Sequence, residues 1–470
     1  MTPSPFIFHL IYIIFFCYFI LVMAFYFFLA LVGLYEGIKK AWESEEEDYP
    51  FVYFSGAKIP VSIIVPARNE EAWIRDSVLS VLNINYPEFE LIIVDDGSTD
   101  RTFDILKEVL ALKPVEKVYI KHYPDGQVRQ ILKSEKYPNT TVIHKFAGLK
   151  KAGAVNAGLN IARNRYVCVI DADTIMEPDS VLKVMAHIEK DPDRIIGIGS
   201  YFGLSNGLVI KDGRIIKRRF SYNPIIAYQN LEYIRSFMGS RIGWSRFNSM
   251  PIVAGGFGMW RRDVLYELGG YSANFTCEDI ELTFRAHDYI EKHREKGYRI
   301  MMLPYYVSWT EGPETVPSLI SQRSRWQRVT NETIWAYKYM IFNPRYRGFA
   351  FLTLPYFVVY EVFGVFFEIA SVIMVTIGWI NGFLDFRTFS AFLIFMVLSQ
   401  SFVSLFAIFA FTRSQRIFKL PNIAYLIFLA LTEFILYRWI ISIAKLSGTY
   451  SYLRGVKTFD QYIRAERVKA

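Results

Sequence analysis

A few short stretches carry side chains whose types and spacing can do chemistry. Asp95-Asp96-Gly97-Ser98 closes one apolar run, residues 91–95, and Asp171-Ala172-Asp173 closes another, residues 166–171. Carboxylates at the end of a buried strand can hold a hard divalent ion against a diphosphate, because magnesium takes a few carboxylates plus phosphate oxygens. Asp95-Asp96 can equally open an Asx turn. Lys151 stands just before Ala152-Gly153 and a helical pattern, where a cation neutralises phosphate or is simply solvated. The glycines of residues 253–258, Gly255 and Gly256 among them, suit a close backbone approach to an acceptor or a tight turn. Glu278-Asp279 stands before the helical run 280–285, a place that capping and the helix dipole alone favour for carboxylates. Gln322-Arg323-Ser324-Arg325-Trp326 is a Gln-x-x-Arg-Trp box. In a helix, Gln322, Arg325 and Trp326 share one face, which presents an amide, a guanidinium fork suited to a diphosphate and an indole platform for a sugar ring. The competing reading is an amphipathic helix lying on a membrane.

These residues need a scaffold. Residues 59–66, 91–95 and 166–171 are Ile- and Val-rich runs, as expected for parallel strands covered on both faces, and residues 70–82 between the first two have helical periodicity. A helical stretch through Ala154 and Leu159 precedes the third. The pattern predicts a doubly wound α/β domain over residues 58–316, with ligands beyond the carboxyl ends of the strands. Residues 207–217 read as a hairpin turning on Asp212-Gly213, with no function attached.

Of the 470 residues, 52% are hydrophobic and 17% aromatic, and they gather in blocks, which means membrane spans plus a globular domain. Residues 6–34 form an uncharged apolar run, read as a stable span and not a signal peptide, with residues 1–40 as the first membrane helix. Lys39 and Lys40 follow it, so the positive-inside rule puts the α/β domain in the cytoplasm. Residues 41–57, with the acidic stretch from Glu43 to Asp48, read as a solvated linker, and residues 317–349 as interfacial helices carrying the box. Residues 350–446 hold three apolar stretches, about 350–380, 386–411 and 421–444, and a basic tail occupies 447–470. The basic loop 413–419 and the tail both argue for the cytoplasm; the long first stretch is then partly interfacial or re-entrant, or the charge rule fails. Cys17, Cys168 and Cys277 are too scattered for a disulfide framework or a zinc site. The net charge of +8 fits membrane topology, since no basic-aromatic run resembles a nucleic-acid module.

From about residue 58 to 330 the chain resembles the family 2 inverting glycosyltransferases of the membrane-embedded, processive kind, similar to cellulose, chitin, hyaluronan and poly-N-acetylglucosamine synthases. An Asp, an Asp-x-Asp, a further Asp and Gln-x-x-Arg-Trp occur here in the family's order. The resemblance implies a GT-A nucleotide-sugar fold, hexosyltransferase activity and a Mg2+ or Mn2+ cofactor. It also implies roles. Asp95 and Asp96 with Arg68 and Glu70 contact the nucleotide base and ribose, Pro66 belongs to the donor side, and Lys151 meets the diphosphate. Asp173, with Asp171, faces the metal and donor. Asp279, grouped with Glu278, is the general base; Gln322 and Arg325 hold the diphosphate, and Trp326 stacks on the acceptor sugar. Three departures stand out: Cys277 where these synthases often have Thr, Val329 where a glycine commonly follows the box, and the tail segment Tyr450-Ser-Tyr-Leu-Arg-Gly, which only loosely resembles a gating segment.

The expected reaction is inverting transfer from a nucleotide diphosphate sugar, taken to be a uridine one, to a growing polysaccharide, with export by a multi-pass protein of the plasma membrane. The expected partners are therefore the nucleotide-sugar donor, a glycan or lipid acceptor and the bilayer, without nucleic acid; no motif identifies an accessory subunit. One rival adds a single sugar to a lipid. Another is a transporter with a regulatory nucleotide-binding domain, supported by Glu361, Glu368 and Glu433 with Arg438 inside apolar stretches, Glu361 and Glu368 sharing a helix face.

Overall fold

The computed structural model describes residues 5–46, 58–414 and 417–456. These fall into two compact units. The α/β unit draws on Lys40–Ser221 and Phe247–Gly312, and the helical unit on Met1–Lys39, Tyr222–Arg246 and Pro313–Arg464.

Strands of the α/β unit are, in chain order, β1 (Val61–Ala67), β2 (Phe89–Asp95), β3 (Leu112–Pro114), β4 (Val128–Ser134), β5 (Thr140–Lys145), β6 (Tyr166–Val169), β7 (Ile175–Met176), β8 (Ile195–Leu204), β9 (Leu208–Lys211), β10 (Arg214–Arg218), β11 (Gly258–Arg261) and β12 (Arg299–Thr310). Among the described residues ten of them form one mixed sheet in the order β3-β4-β5-β2-β1-β6-β11-β8-β12-β7. β1 and β6 are buried along their whole length, because β1, β2, β5 and β6 run parallel at the centre with both faces covered. Ile63, Val65, Ile93 and Cys168 pack with Val78, Leu106 and Met185 in one core. The chain first winds from β1 out to β5, then crosses back through helix Lys150–Ile161 to β6 on the other side of β1. That reversal creates a switch point, where open α/β sheets bind ligands beyond their carboxyl ends. The register puts Ala67 beside Asp95, and Asp95 beside His144, on this edge.

Local differences from the sequence pattern have simple causes. β6 stops at Val169, so Asp171 and Asp173 belong to the following turn, in which the Thr174 N–H donates to the Asp171 carbonyl. The first helix of the α/β unit starts at Ile74, after a turn over 70–73. Helix Glu278–Lys292 begins two residues earlier than expected, and Glu278 and Asp279 are its first residues. The hairpin forms with Asp212 at φ 49° and Gly213 at φ 73°, as a two-residue primed turn requires. It is a packing element. The Gly213 N–H donates to Asp76 Oδ1 at 2.9 Å, and a Cβ on Gly213 would lie 2.3 Å from Ser80 N.

In the helical unit, Leu10–Lys39 and Ser390–Arg413 are each long and apolar enough to cross a membrane. Two bent pairs, Phe349–Val362 with Gly364–Ile380 (48°) and Leu420–Thr432 with Tyr437–Leu453 (63°), raise the number to four if each is one span. The first helix, Pro5–Glu46, runs through residues 41–46, which corrects the start of the expected linker: no glycine or proline interrupts the strong helix formers there. Residues 47–57 of that linker and 457–470 of the expected basic tail lie outside the described residues.

The bend in the first pair also corrects the idea that Glu361 and Glu368 share one straight helix face. π-helical turns at Phe349–Thr353 and Phe357–Val362 flank Pro355, which lacks the N–H for a regular helical bond, and the axis turns before Glu368. Both carboxylates nonetheless reach one helix, Tyr437–Leu453: Glu361 pairs with Lys445 at 2.7 Å, and Glu368 accepts from Arg438 Nε at 3.0 Å. Glu433 pairs with Arg235 at 2.7 Å and accepts from Ser404. All three glutamates are thus held in ion pairs that join separate helices.

Candidate active site

At the carboxyl ends of β1 and β2, two loops are stitched together. Asn69, at φ 55°, donates its N–H to Ser98 Oγ (3.1 Å) and accepts from the Thr99 N–H on Oδ1 (2.8 Å). The Glu70 N–H donates to Thr102 Oγ1 at 2.7 Å. Gly97 has φ 68°, and a Cβ there would sit 2.5 Å from Ala147 N, so only glycine fits. Arg68 is exposed and Glu70 half-buried, while Pro66 lies within β1 opposite Val94.

Behind these loops Asp95 and Asp96 are buried, and β5 supplies a partner for each. His144 Nδ1 lies 2.6 Å from Asp95 Oδ2, with the imidazole stacked on Phe103. Lys145, fully buried, pairs with Asp96. Burial pushes the Asp96 carboxyl above its usual pKa, against the lowering effects of Lys145 and Arg68. Neither His144 nor Lys145 stands out in the sequence; the adjacent strands alone bring them to the two aspartates.

Past β6, Lys151 Nζ bridges Asp171 Oδ1 (2.5 Å) and Glu278 Oε1 (2.9 Å). Burial by itself lowers the pKa of this ammonium, but Asp171, Glu278 and Asp279 outweigh it and push the value well above that of an ordinary lysine. The side chain therefore stays cationic. Asp279 is gripped by three donors: the Gly255 N–H on Oδ2 (3.1 Å), and the Ile280 N–H (2.7 Å) and Cys277 thiol (3.1 Å) on Oδ1. Burial, together with Asp279 and Glu278, pushes the Cys277 thiol well above its usual range, so it remains a neutral donor. Gly255 has a steric reason: a Cβ there would stand 2.9 Å from Lys151 Nζ. Gly256 faces the Phe202 ring, and its carbonyl accepts from Ser308 Oγ at 3.2 Å. Asp173 is buried and accepts from Thr310 Oγ1 at 3.3 Å.

Among the described residues no three His, Cys, Asp or Glu side chains form a ready metal cage. Asp171 keeps 35% of its side chain exposed, and with Asp173 it offers hard oxygen donors from one turn. That set fits Mg2+ or Mn2+, which use one or two carboxylates when phosphate oxygens and water complete the shell.

Asn156 was not singled out by sequence reasoning. It lies on the helix that carries Lys151, a polar residue among small apolar ones, and it is buried. Its Nδ2 donates to the Pro124 and Tyr271 carbonyls (3.1 and 2.9 Å), and its Oδ1 accepts from the Tyr271 N–H (2.8 Å). The loop leading to Glu278 and Asp279 is thereby tied to the Lys151 helix. Asn156→Ala should cost about 1–3 kcal/mol for each buried group left unpaired and raise hydrogen exchange over residues 270–279. Unchanged exchange there would remove its positioning role.

The Gln-x-x-Arg-Trp box belongs to the helical unit, on helix Val316–Ala336, capped by Thr315 and opened by Pro317. Gln322 is buried, and its Oε1 has no hydrogen-bond partner among the described residues. Arg325 is half-buried and Trp326 is 40% exposed. The intervening Arg323 escaped notice in the sequence. It is buried, pairs with Glu232 at 3.0 Å and lies 3.9 Å from the Trp326 ring centroid, so it supports the indole from beneath. Tyr437 Oη donates to the same Glu232, and a Cβ on Gly448 would be 2.3 Å from the Ser324 carbonyl. Helix Tyr437–Leu453 thus seats the box at closest backbone approach.

Several known proteins are similar to the chain. The chain is 27% identical over 305 residues to the probable glycosyltransferase YdaM of Bacillus subtilis (strain 168), covering 64% of this chain and 63% of that protein. It is 25% identical over 274 residues to the poly-beta-1,6-N-acetyl-D-glucosamine synthase of Staphylococcus epidermidis, covering 58% of this chain and 55% of the synthase. The match therefore spans less than two thirds of either relative. Among solved structures, a mannosyltransferase, PcManGT from Pyrobaculum calidifontis in complex with GDP-Man and Mn2+, aligns over 92% of this chain and 99% of its own, at 16% identity and a TM-score of 0.49. The sequence model of glycosyl transferase family 2 matches residues 62–269. That of glycosyl transferase family group 2 matches residues 166–441, more than half of the chain, and takes in the Asp171 turn, Asp279 and the box. The chain belongs to this family: it is a family 2 glycosyltransferase with a mixed-sheet, GT-A-like catalytic unit.

Proposed function

We propose that the protein is a membrane-bound inverting glycosyltransferase that moves a sugar from a nucleotide diphosphate donor, a uridine one, to a growing polysaccharide and couples synthesis to export. The observation that carries this reading is the cluster in which cationic Lys151 joins Asp171 and Glu278 beside Asp279. Asp279 is gripped by main-chain N–H groups and keeps lone pairs for an acceptor proton.

In this reading the acceptor hydroxyl oxygen forms a bond to the anomeric carbon while the bond from that carbon to the diphosphate oxygen breaks. The hydroxyl proton passes to Asp279, and the electron pair leaves with the diphosphate. Lys151 and Arg325 neutralise the leaving group, with the Gln322 amide donating to it. Exposed Arg68 and half-buried Glu70 meet the nucleotide. Asp95 and Asp96, expected to contact the base and ribose, are instead buried against His144 and Lys145, and with Pro66 they back the nucleotide's seat. Asp171 and Asp173 would hold Mg2+ or Mn2+, which when bound supplies further charge neutralisation at the diphosphate. Gly255 and Gly256 leave room on the acceptor side, and Trp326 offers its half-exposed face to the acceptor sugar. Lys39 and Lys40 after the first span support a cytoplasmic catalytic unit in the plasma membrane.

Product length from purified protein in proteoliposomes, given a panel of nucleotide sugars, tests the proposal. Wild type is expected to make a polymer, and Trp326→Ala to stop elongation while donor binding persists. A single-sugar lipid adduct from wild type at every donor concentration would overturn the polymer reading in favour of the lipid-acceptor rival.

A further inference from the structure

From Thr333 to Tyr360 the chain contains no acidic residue, yet it carries Lys338, Arg345 and Arg347. This stretch begins at the end of the box helix and runs straight into the bent apolar pair Phe349–Val362 and Gly364–Ile380. Between them the backbone makes two short 3-10 turns, Lys338–Met340 and Pro344–Tyr346, with Phe342 at φ 54° and Arg347 at φ 45°. Such angles are unfavourable for residues with a Cβ, and they are held here by local bonds: the Phe342 N–H donates to the Ala350 carbonyl, and Asn343 Oδ1 accepts from the Arg345 N–H.

The folded segment has two faces. Met340, Tyr346 and Phe349 point inward and are buried. Trp335 (63% exposed), Tyr339 (53%) and Phe342 (63%) lie outward together with exposed Lys338, Arg345 and Arg347. The Lys338 ammonium sits 4.4 Å from the Trp335 ring centroid, so aromatic and cationic groups are interleaved. Large exposed aromatics are costly in water, and a cluster of exposed cations raises a positive potential that attracts an anionic surface.

We infer that this outward face docks into the headgroup layer of an anionic bilayer and binds phospholipid phosphates through Lys338, Arg345 and Arg347, with the rings of Trp335, Tyr339 and Phe342 at the boundary with the acyl chains. Continuity with the apolar pair beginning at Phe349 selects a lipid surface over other anionic partners. Aromatic belts occupy this depth, and each cation near an anionic surface favours it by about fivefold. The inference rests on the membrane-bound reading above and adds the lipid class. It also ties the orientation of the box helix to lipid composition, because the segment continues that helix.

The test uses full-length protein in nanodiscs of phosphatidylcholine with or without phosphatidylglycerol. Headgroup-proximal brominated lipids quench tryptophan, and the share from Trp335 is the difference between wild type and Trp335→Phe. Brominated phosphatidylglycerol is expected to quench that share more than brominated phosphatidylcholine. In the Lys338→Gln, Arg345→Gln, Arg347→Gln triple variant, the relative affinity for phosphatidylglycerol should fall by on the order of a hundredfold. Equal quenching by both lipids in wild type would overturn the inference. So would a Trp335 share of zero, or Trp335 shielded in a cross-linked pair of chains. Transfer activity measured in the same nanodiscs keeps the two readings apart: activity without Trp335 quenching sinks the lipid inference alone.

Discussion

Asp279→Asn is expected to lower turnover by about 10²–10⁴-fold, the usual range for removing a general base, while the nucleotide still binds. The base acts on the acceptor proton and contributes little to holding the donor. The substitution also has a structural component. The Asp279 carboxylate accepts from N–H groups on both oxygens, from Gly255 on one side and Ile280 on the other. An amide has one acceptor oxygen, so one of those N–H groups loses its partner, at a cost of about 1–3 kcal/mol. Thermal unfolding in detergent measures that part, and nucleotide titration of the same sample measures donor affinity. A fall in donor affinity as large as the fall in turnover would move Asp279 from base to binding residue.

Lys145→Met should produce the largest loss of stability, about 3–5 kcal/mol, the range for removing one partner of a buried ion pair. Methionine fills nearly the same space, so little of the effect is packing; most is the Asp96 carboxylate left in a buried site. The check is the pair of variants. Adding Asp96→Asn to Lys145→Met removes the orphaned charge and should restore most of the lost thermal stability. If the single variant unfolds like wild type, or the double variant unfolds no later than the single, the pair is not what steadies this edge of the sheet.

Much of the architecture is written locally in the chain. The apolar runs at 59–66, 91–95 and 166–171 read as buried strands and form them, and polar residues end or closely follow each at one edge of the sheet. The hairpin at Asp212-Gly213 and the helix through the box follow from turn chemistry and period. These features depend on neighbours a few residues away. The identity of each partner does not. His144 and Lys145 meet Asp95 and Asp96 because β5 lies next to β2, and Lys151 meets Glu278 because its crossover helix faces the loop that Asn156 holds. Arg323 and Glu232 look in the sequence like any other charges in amphipathic helices, and although Glu361 stands out inside an apolar stretch, nothing there marks Lys445 as its partner. Strand order and helix contact are set by burying surface over the whole chain, so the sequence by itself determined which residues end the strands and line the box. Only the tertiary structure decided which charges are spent on one another, because pairing across long loops is a property of the packed fold and leaves no periodic trace in the chain.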